Sequence, residues 1–136
     1  MNIGNWNKKL RALPWVISVL FVMLPGHGFA AQKQVVPLVD GHLGRCSADF
    51  TVTDKDKNPL YDAKIDVTIR YGFLGLRRMS LQVGTNSEGK ARVAGLPDKP
   101  DKKYLFKITS GTLSDTVLMN TSDRCNAEFE ASLEEE

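Results

Sequence analysis

Apolar and polar residues alternate with a period of two through most of the chain after residue 45. This period places successive side chains on opposite faces of an extended strand, whereas a surface helix would repeat every three to four residues. Turns rich in Gly, Pro, Asn and Asp separate seven such runs, at 46–52, 65–69, 79–83, 91–93, 104–108, 113–119 and 125–133. The pattern predicts an all-β fold, a seven-stranded antiparallel β-sandwich.

The polar stretch DKDKN, from Asp54 to Asn58, predicts a tight turn between the first two strands. Asp and Asn side chains bond nearby backbone N–H groups and so favour turns. Pro59 then fixes φ as the chain leaves the turn. Ala63 begins the next strand with a small side chain that lets two sheets approach. We interpret this stretch as architecture rather than as a chemical site.

The first thirty residues have the three parts of a secretory signal peptide. Three basic residues precede the apolar stretch ALPWVISVLFVML, and the small residues Gly28 and Ala30 suit cleavage after residue 30. The apolar stretch is short for a bilayer span, and an uncleaved membrane anchor is the alternative. The predicted segments are a signal peptide at 1–30, an extended lead at 31–45, the sandwich at 46–133 and an acidic tail at 134–136.

Removal of the predicted signal peptide changes the charge of the chain. Residues 1–30 carry three of the 18 Lys and Arg residues and none of the 16 acidic residues, which leaves 15 basic and 16 acidic residues and a formal charge of −1. Both Trp residues, Trp6 and Trp15, would also leave. A near-neutral chain has no electrostatic case for nucleic-acid binding. We therefore expect no nucleic-acid partner and no stable membrane span after cleavage.

Cys46 and Cys125 are the only two cysteines. In an exported chain an even pair favours a disulfide over a metal site, and two cysteines allow one intramolecular connectivity. The sequence therefore predicts a Cys46–Cys125 disulfide and a periplasmic or secreted protein.

Two motifs, DKDKNPLYDAKI and TNSEGKARVAGLP followed by DKKYLFKI, resemble those of the carboxypeptidase regulatory-like domain. Asn58 stands where that family usually has a Gly, and Arg92 and Val93 stand where a Phe or Tyr is frequent. The resemblance covers about 46–133 and implies a prealbumin (transthyretin-like), immunoglobulin-like sandwich in a bacterial exported protein. Such modules are usually non-catalytic appendages. In this topology the first strand and a late strand are parallel neighbours, which implies that Cys46 and Cys125 begin adjacent strands.

Two groups of residues are weak candidates for a metal site. Asp54, Asp56 and Asn58 have the spacing that opens an EF-hand loop, but Pro59 takes the place of the required Gly. His42 could bind a soft metal together with a Cys or Met ligand. A hydrogen-bonded turn and ordinary core packing explain these residues better. We therefore expect no metal site and no cofactor.

The stretch YGFLGLRR, residues 71–78, is apolar where a turn between two strands would be polar. Interfaces between proteins favour aromatic residues and Arg as binding residues. The sequence therefore predicts a partner-binding loop made of Tyr71, Phe73, Leu74, Leu76, Arg77 and Arg78. In the alternative, the loop folds back and caps one end of the core.

Together these patterns favour a non-catalytic exported β-sandwich module that binds a protein partner as an accessory protein. One alternative is a small periplasmic metal-binding protein for copper or calcium. Another is an enzyme of unknown type, for which the sequence offers a single His after residue 30 and no nucleophile motif.

Overall fold

The computed structural model describes residues 34–99 and 102–135, and these residues form eight β-strands with one 3₁₀ turn. The predicted signal peptide lies outside the described residues. The strands are β1 (Leu38–Asp40), β2 (Cys46–Asp54), β3 (Lys64–Tyr71), β4 (Arg77–Gly84), β5 (Lys90–Leu96), β6 (Lys103–Ser110), β7 (Leu113–Asn120) and β8 (Asn126–Glu135), and the 3₁₀ turn is Phe73–Gly75. No helix within the described residues is long and apolar enough to cross a membrane.

The strands follow the order β1-β5-β2-β8-β7-β6-β3-β4 in one hydrogen-bonded sheet. β7 and β8 share only two pairs, Leu113 with Glu135 and Ser114 with Glu134. This short link joins a first group of four strands, β1, β5, β2 and β8, to a second group, β7, β6, β3 and β4. The two edge strands of the sheet, β1 and β4, also approach each other. A Cβ added at Gly41, the residue after β1, would lie 3.1 Å from Leu81 in β4. The sheet therefore curls until it is nearly barrel-shaped around one core.

The prediction of a seven-stranded antiparallel sandwich is wrong in strand number, in strand direction and in architecture, because the sheet has eight strands, includes parallel pairs and is nearly barrel-shaped, although the all-β class is correct. The eighth strand is β1, which lies within the stretch predicted to be an extended lead, and its three residues are too few to show a period of two. Two neighbouring pairs are parallel, β1 with β5 and β2 with β8. At the other end of the chain β8 continues to Glu135, so the predicted acidic tail begins inside a strand.

The core consists of the inward side chains of the alternating runs. Phe50 from β2 and Phe106 from β6 pack edge to face at 4.9 Å between ring centroids, and Phe129 from β8 stacks on Phe50 at 5.5 Å. Such aromatic pairs contribute about 0.5–1.5 kcal/mol beyond the area that they bury. The three rings therefore hold the two strand groups together.

The Cys46–Cys125 disulfide is present, as the sequence predicts. Cys46 begins β2 and Cys125 directly precedes β8, two strands that run parallel as neighbours from Ser47 opposite Asn126. The backbone N–H of Ser47 also donates to the carbonyl oxygen of Cys125 at 2.8 Å. A disulfide between strand starts of this kind is typical of exported proteins.

The turn after β2 forms as predicted. One Asp54 carboxylate oxygen accepts hydrogen bonds from the backbone N–H groups of Asp56 at 2.8 Å and Asn58 at 2.9 Å. The other oxygen accepts one from the Asn58 side-chain amide at 3.1 Å. The left-handed residue of this turn is Lys57, with φ 66°, and not Asn58 at the usual Gly position. The turn thus explains these residues without a bound ion.

Candidate functional site

The loop predicted to bind a partner is the tip of the β3–β4 hairpin. Tyr71 and Arg77 form the last cross-strand pair, and the chain then turns through Gly72 and a single 3₁₀ turn. Within this turn the backbone N–H of Gly75 donates to the carbonyl oxygen of Gly72 at 3.2 Å, and that of Leu76 donates to Phe73 at 3.2 Å. The tip is therefore closed by its own backbone hydrogen bonds.

Three apolar side chains project from this turn into solvent. Phe73 is 81% exposed, Leu74 80% and Leu76 77%, and we call these three residues the apolar tip. The alternative that the loop caps the core does not fit these exposures. Exposed apolar residues are informative when they are contiguous, because contiguous patches mark interaction surfaces.

Leu74 also has an unfavourable backbone conformation for its residue type. Its φ and ψ are 53° and 19°, in the left-handed region. Gly, Asn and Asp adopt this region readily, whereas a bulky side chain there is an outlier. Neither packing nor backbone preference explains a Leu at this position. Strained residues of this kind often cluster at functional positions.

Three arginines flank the apolar tip on β3 and β4. Arg70 and Arg78 lie directly opposite each other on β3 and β4. Arg77 directly precedes Arg78 and begins β4. Like charges in this position destabilise a sheet. Within residues 34–99 and 102–135, no ion pair joins these three guanidinium groups to a carboxylate.

The fold brings further lysines to the same end of the domain, which the sequence pattern does not show. Arg70 lines a shallow depression together with Lys102 and Lys103 at the start of β6. Arg70 and Tyr71 also line a smaller concavity of about 160 Å³, together with Lys99 and Lys102. We call Arg70, Arg77, Arg78, Lys102 and Lys103 the basic collar. Lys102 and Lys103 come close to Arg70 because β3 and β6 pair antiparallel, which places the start of β6 beside the end of β3.

The two groups of weak metal candidates lie at opposite ends of the domain. Asp54 ends β2 and Asp56 and Asn58 follow it, whereas His42 precedes β2. The His42 side chain is 84% exposed, with its Nδ1 atom 3.5 Å from an Asp40 carboxylate oxygen. In the part of the chain that the structure describes, no group of three His, Cys, Asp or Glu side chains is arranged to hold a metal ion.

Among the residues that the structure describes, two titratable groups have a clearly shifted pKa, and local structure explains both. The backbone N–H and then the side-chain amide of Asn58 hold the pKa of Asp54 below its ordinary value. Burial, with a smaller contribution from Asp98, raises the pKa of Tyr104, whose hydroxyl donates to the carbonyl oxygen of Pro97 at 3.2 Å. A turn and a buried phenol account for these shifts, so neither indicates an acid or base poised for reaction.

No protein-family model matches the sequence, and no curated protein matches it either. Several solved structures resemble the fold. Catechol 1,2-dioxygenase from Acinetobacter sp. ADP1 is 12% identical over 74% of this chain and 59% of the dioxygenase, with a TM-score of 0.50. Catechol 1,2-dioxygenase from Pseudomonas arvilla C-1 is 15% identical over 63% of this chain and 41% of the enzyme, with a TM-score of 0.46.

The C-terminal domain of a shaft pilin from Lactobacillus rhamnosus GG is also similar, with 10% identity over 67% of this chain and 99% of the pilin domain and a TM-score of 0.42. This chain spans about half the length of the two dioxygenases. At identities this low the likeness concerns the fold alone and carries no activity from one protein to another.

Proposed function

We propose that this protein is a non-catalytic module of the periplasm or the secreted fraction that binds a protein partner through the apolar tip and its basic collar. The observation that carries the proposal is the exposure of Phe73, Leu74 and Leu76 on one closed turn. The left-handed Leu74 supports it, because a turn selected for folding alone would place Asn or Gly there.

The chemistry of the tip suits a protein interface. Aromatic and Arg side chains dominate the binding energy of protein interfaces, where a partner pocket removes them from water. Phe73 is exposed on the closed turn, and Arg77 and Arg78 begin the strand that follows this turn. Burial of a fully exposed Phe or Leu side chain contributes about 1.5–3 kcal/mol before the cost of association. The tip therefore offers a small contact surface whose burial by a partner would favour binding.

The non-catalytic part of the proposal rests on the chemistry of the described side chains. The carboxypeptidase regulatory-like resemblance agrees with it, since such domains are usually appendages. The ionisable groups with perturbed pKa values, Asp54 and Tyr104, have structural causes. The disulfide supports an oxidising compartment, the periplasm or the outside of the cell.

A site-specific photo-crosslinker tests the proposal in the compartment where the protein resides. It is placed at Phe73 in the tip and, as a matched control, at Leu118, which is 58% exposed on the outer face of β7. We expect one or a few discrete protein adducts from position 73 and none from position 118. The same diffuse adducts from both positions, or none from position 73, would contradict the proposal.

A further inference from the structure

The end of the domain opposite the apolar tip carries a concave site with acidic walls. It has a volume of about 590 Å³. Four of its lining residues are acidic, one is the basic residue Lys55, and Leu113 and Leu133 are apolar. We call this site the acidic pocket, and its acidic residues are Asp54, Asp56, Glu134 and Glu135.

Strand directions place the acidic pocket and the apolar tip at opposite ends. Lys64 at the start of β3 pairs with Thr109 near the end of β6, whereas the tip follows the end of β3. Leu113 begins β7 beside Glu135 at the end of β8, and β2 runs parallel to β8 and ends at Asp54. The eight residues of β3 span roughly 25 Å at the rise of a strand.

The two ends are complementary in charge and in form. The tip is convex and apolar, and Arg70, Arg77 and Arg78 flank it on β3 and β4. The pocket is concave and lined by acidic residues together with the half-buried Leu113 and the buried Leu133. Complementary potentials of this kind steer association and fix its orientation. The convex tip with its arginines and the concave acidic pocket are therefore complementary in shape and charge.

We infer that the protein partner of the apolar tip is the acidic pocket of a second copy of this chain. This inference rests on the proposed function and names the partner. A contact between two different surfaces of one protein is heterologous, and it forms open chains unless the geometry closes a ring. A symmetric contact of tip against tip is disfavoured, because it would bring two sets of Arg70, Arg77 and Arg78 together.

The association is weak in isolation, since a single turn buries much less surface than a standard interface. Sedimentation velocity of the exported protein, from about 10 μM to about 1 mM, covers the range of a weak contact. We expect the mass to rise with concentration at about 0.05 M salt and to fall towards the monomer at about 0.5 M salt, where surface charges are screened.

Two double variants give a complementation test. Phe73→Ser/Leu74→Ser removes the tip and keeps the pocket, whereas Glu134→Lys/Glu135→Lys reverses the pocket and keeps the tip. We expect each variant alone to be a monomer. Their equimolar mixture should form a dimer and nothing larger, because only one productive contact remains. Glu128→Lys/Glu130→Lys is the matched control on β8, with exposed side chains outside the acidic pocket, and it should associate like the wild type.

Three results would overturn the inference. These are a wild type that is monomeric at every concentration, a pocket variant that associates as well as the wild type, and a mixture that remains monomeric. If the wild type is monomeric and pellets with phosphatidylglycerol vesicles, the tip binds a lipid surface instead. If it is monomeric but the crosslinker at Phe73 yields an adduct with another protein, the proposed function stands and only the self-association fails.

Discussion

Arg70 and Arg78 are Cα partners on the antiparallel strands β3 and β4, so two exposed Arg residues stand directly opposite each other at the base of the apolar tip. A like-charge pair at this position weakens the hairpin. Within the described residues, no acidic side chain forms an ion pair with either of them. The pair is therefore a feature that folding alone would not select.

Replacement of Arg78 by Glu is expected to stabilise the domain and weaken binding. The change turns a like-charge pair into an opposite-charge pair, which raises the free energy of unfolding by about 0.5 kcal/mol. Gln82→Glu is the control and should lower the free energy of unfolding. Gln82 lies opposite Asp66 and donates a hydrogen bond to it at 2.8 Å, so the change removes this bond and creates a like-charge pair. Urea denaturation measures both variants, and a loss of stability in Arg78→Glu would contradict this account of the pair.

Replacement of Leu74 by Asn is expected to leave the domain equally stable or to stabilise it by up to about 1 kcal/mol, since Asn accepts the left-handed conformation. Leu118→Asn is the matched control, because Leu118 is an exposed Leu in an ordinary strand, where Asn is unfavourable. Thermal denaturation compares the two. If Leu74→Asn lost as much stability as Leu118→Asn or more, the left-handed conformation would not be a source of strain at Leu74.

The sequence pattern predicts most of this fold because alternation reports which side of a strand is buried. It could not predict β1, whose three residues are held by parallel pairing with β5 rather than by a pattern of their own. The residues of the apolar tip were predicted because apolar residues in a turn are visible in sequence. Lys102 and Lys103 were missed, since only the pairing of β3 with β6 brings them to Arg70. The left-handed conformation of Leu74 has no signal in sequence.

Removal of the disulfide by Cys46→Ala/Cys125→Ala is expected to destabilise the domain strongly. The bridge closes a loop with a sequence separation of 79 residues, for which chain entropy gives about 4 kcal/mol. For a domain of this size the melting temperature should fall on the order of 20 °C. The reduced wild-type protein should melt at a similar temperature. A double variant as stable as the oxidised wild type would show that the bridge contributes little.

The Asp54 turn predicts a dependence of stability on acid. The amide donors of Asn58 lower the pKa of Asp54 from its ordinary value of 3.8, so the folded state favours the carboxylate. That stabilisation is complete above the ordinary pKa and is lost as the pH falls through the lowered pKa. Asp54→Asn should therefore lose less stability than the wild type on acidification. Asp56→Asn is the control, since Asp56 enters this turn through its backbone N–H, and it should behave like the wild type.

The free energy of unfolding of Phe73→Ser/Leu74→Ser tests most directly whether the apolar tip serves binding rather than folding. Both side chains are about four-fifths exposed, so the account predicts a change within about 0.5 kcal/mol of the wild type. Phe106→Ser, at a fully buried position, is the control and should cost about 3–5 kcal/mol. A loss of several kcal/mol in the tip variant would contradict the account, because it would show that the tip packs on the core.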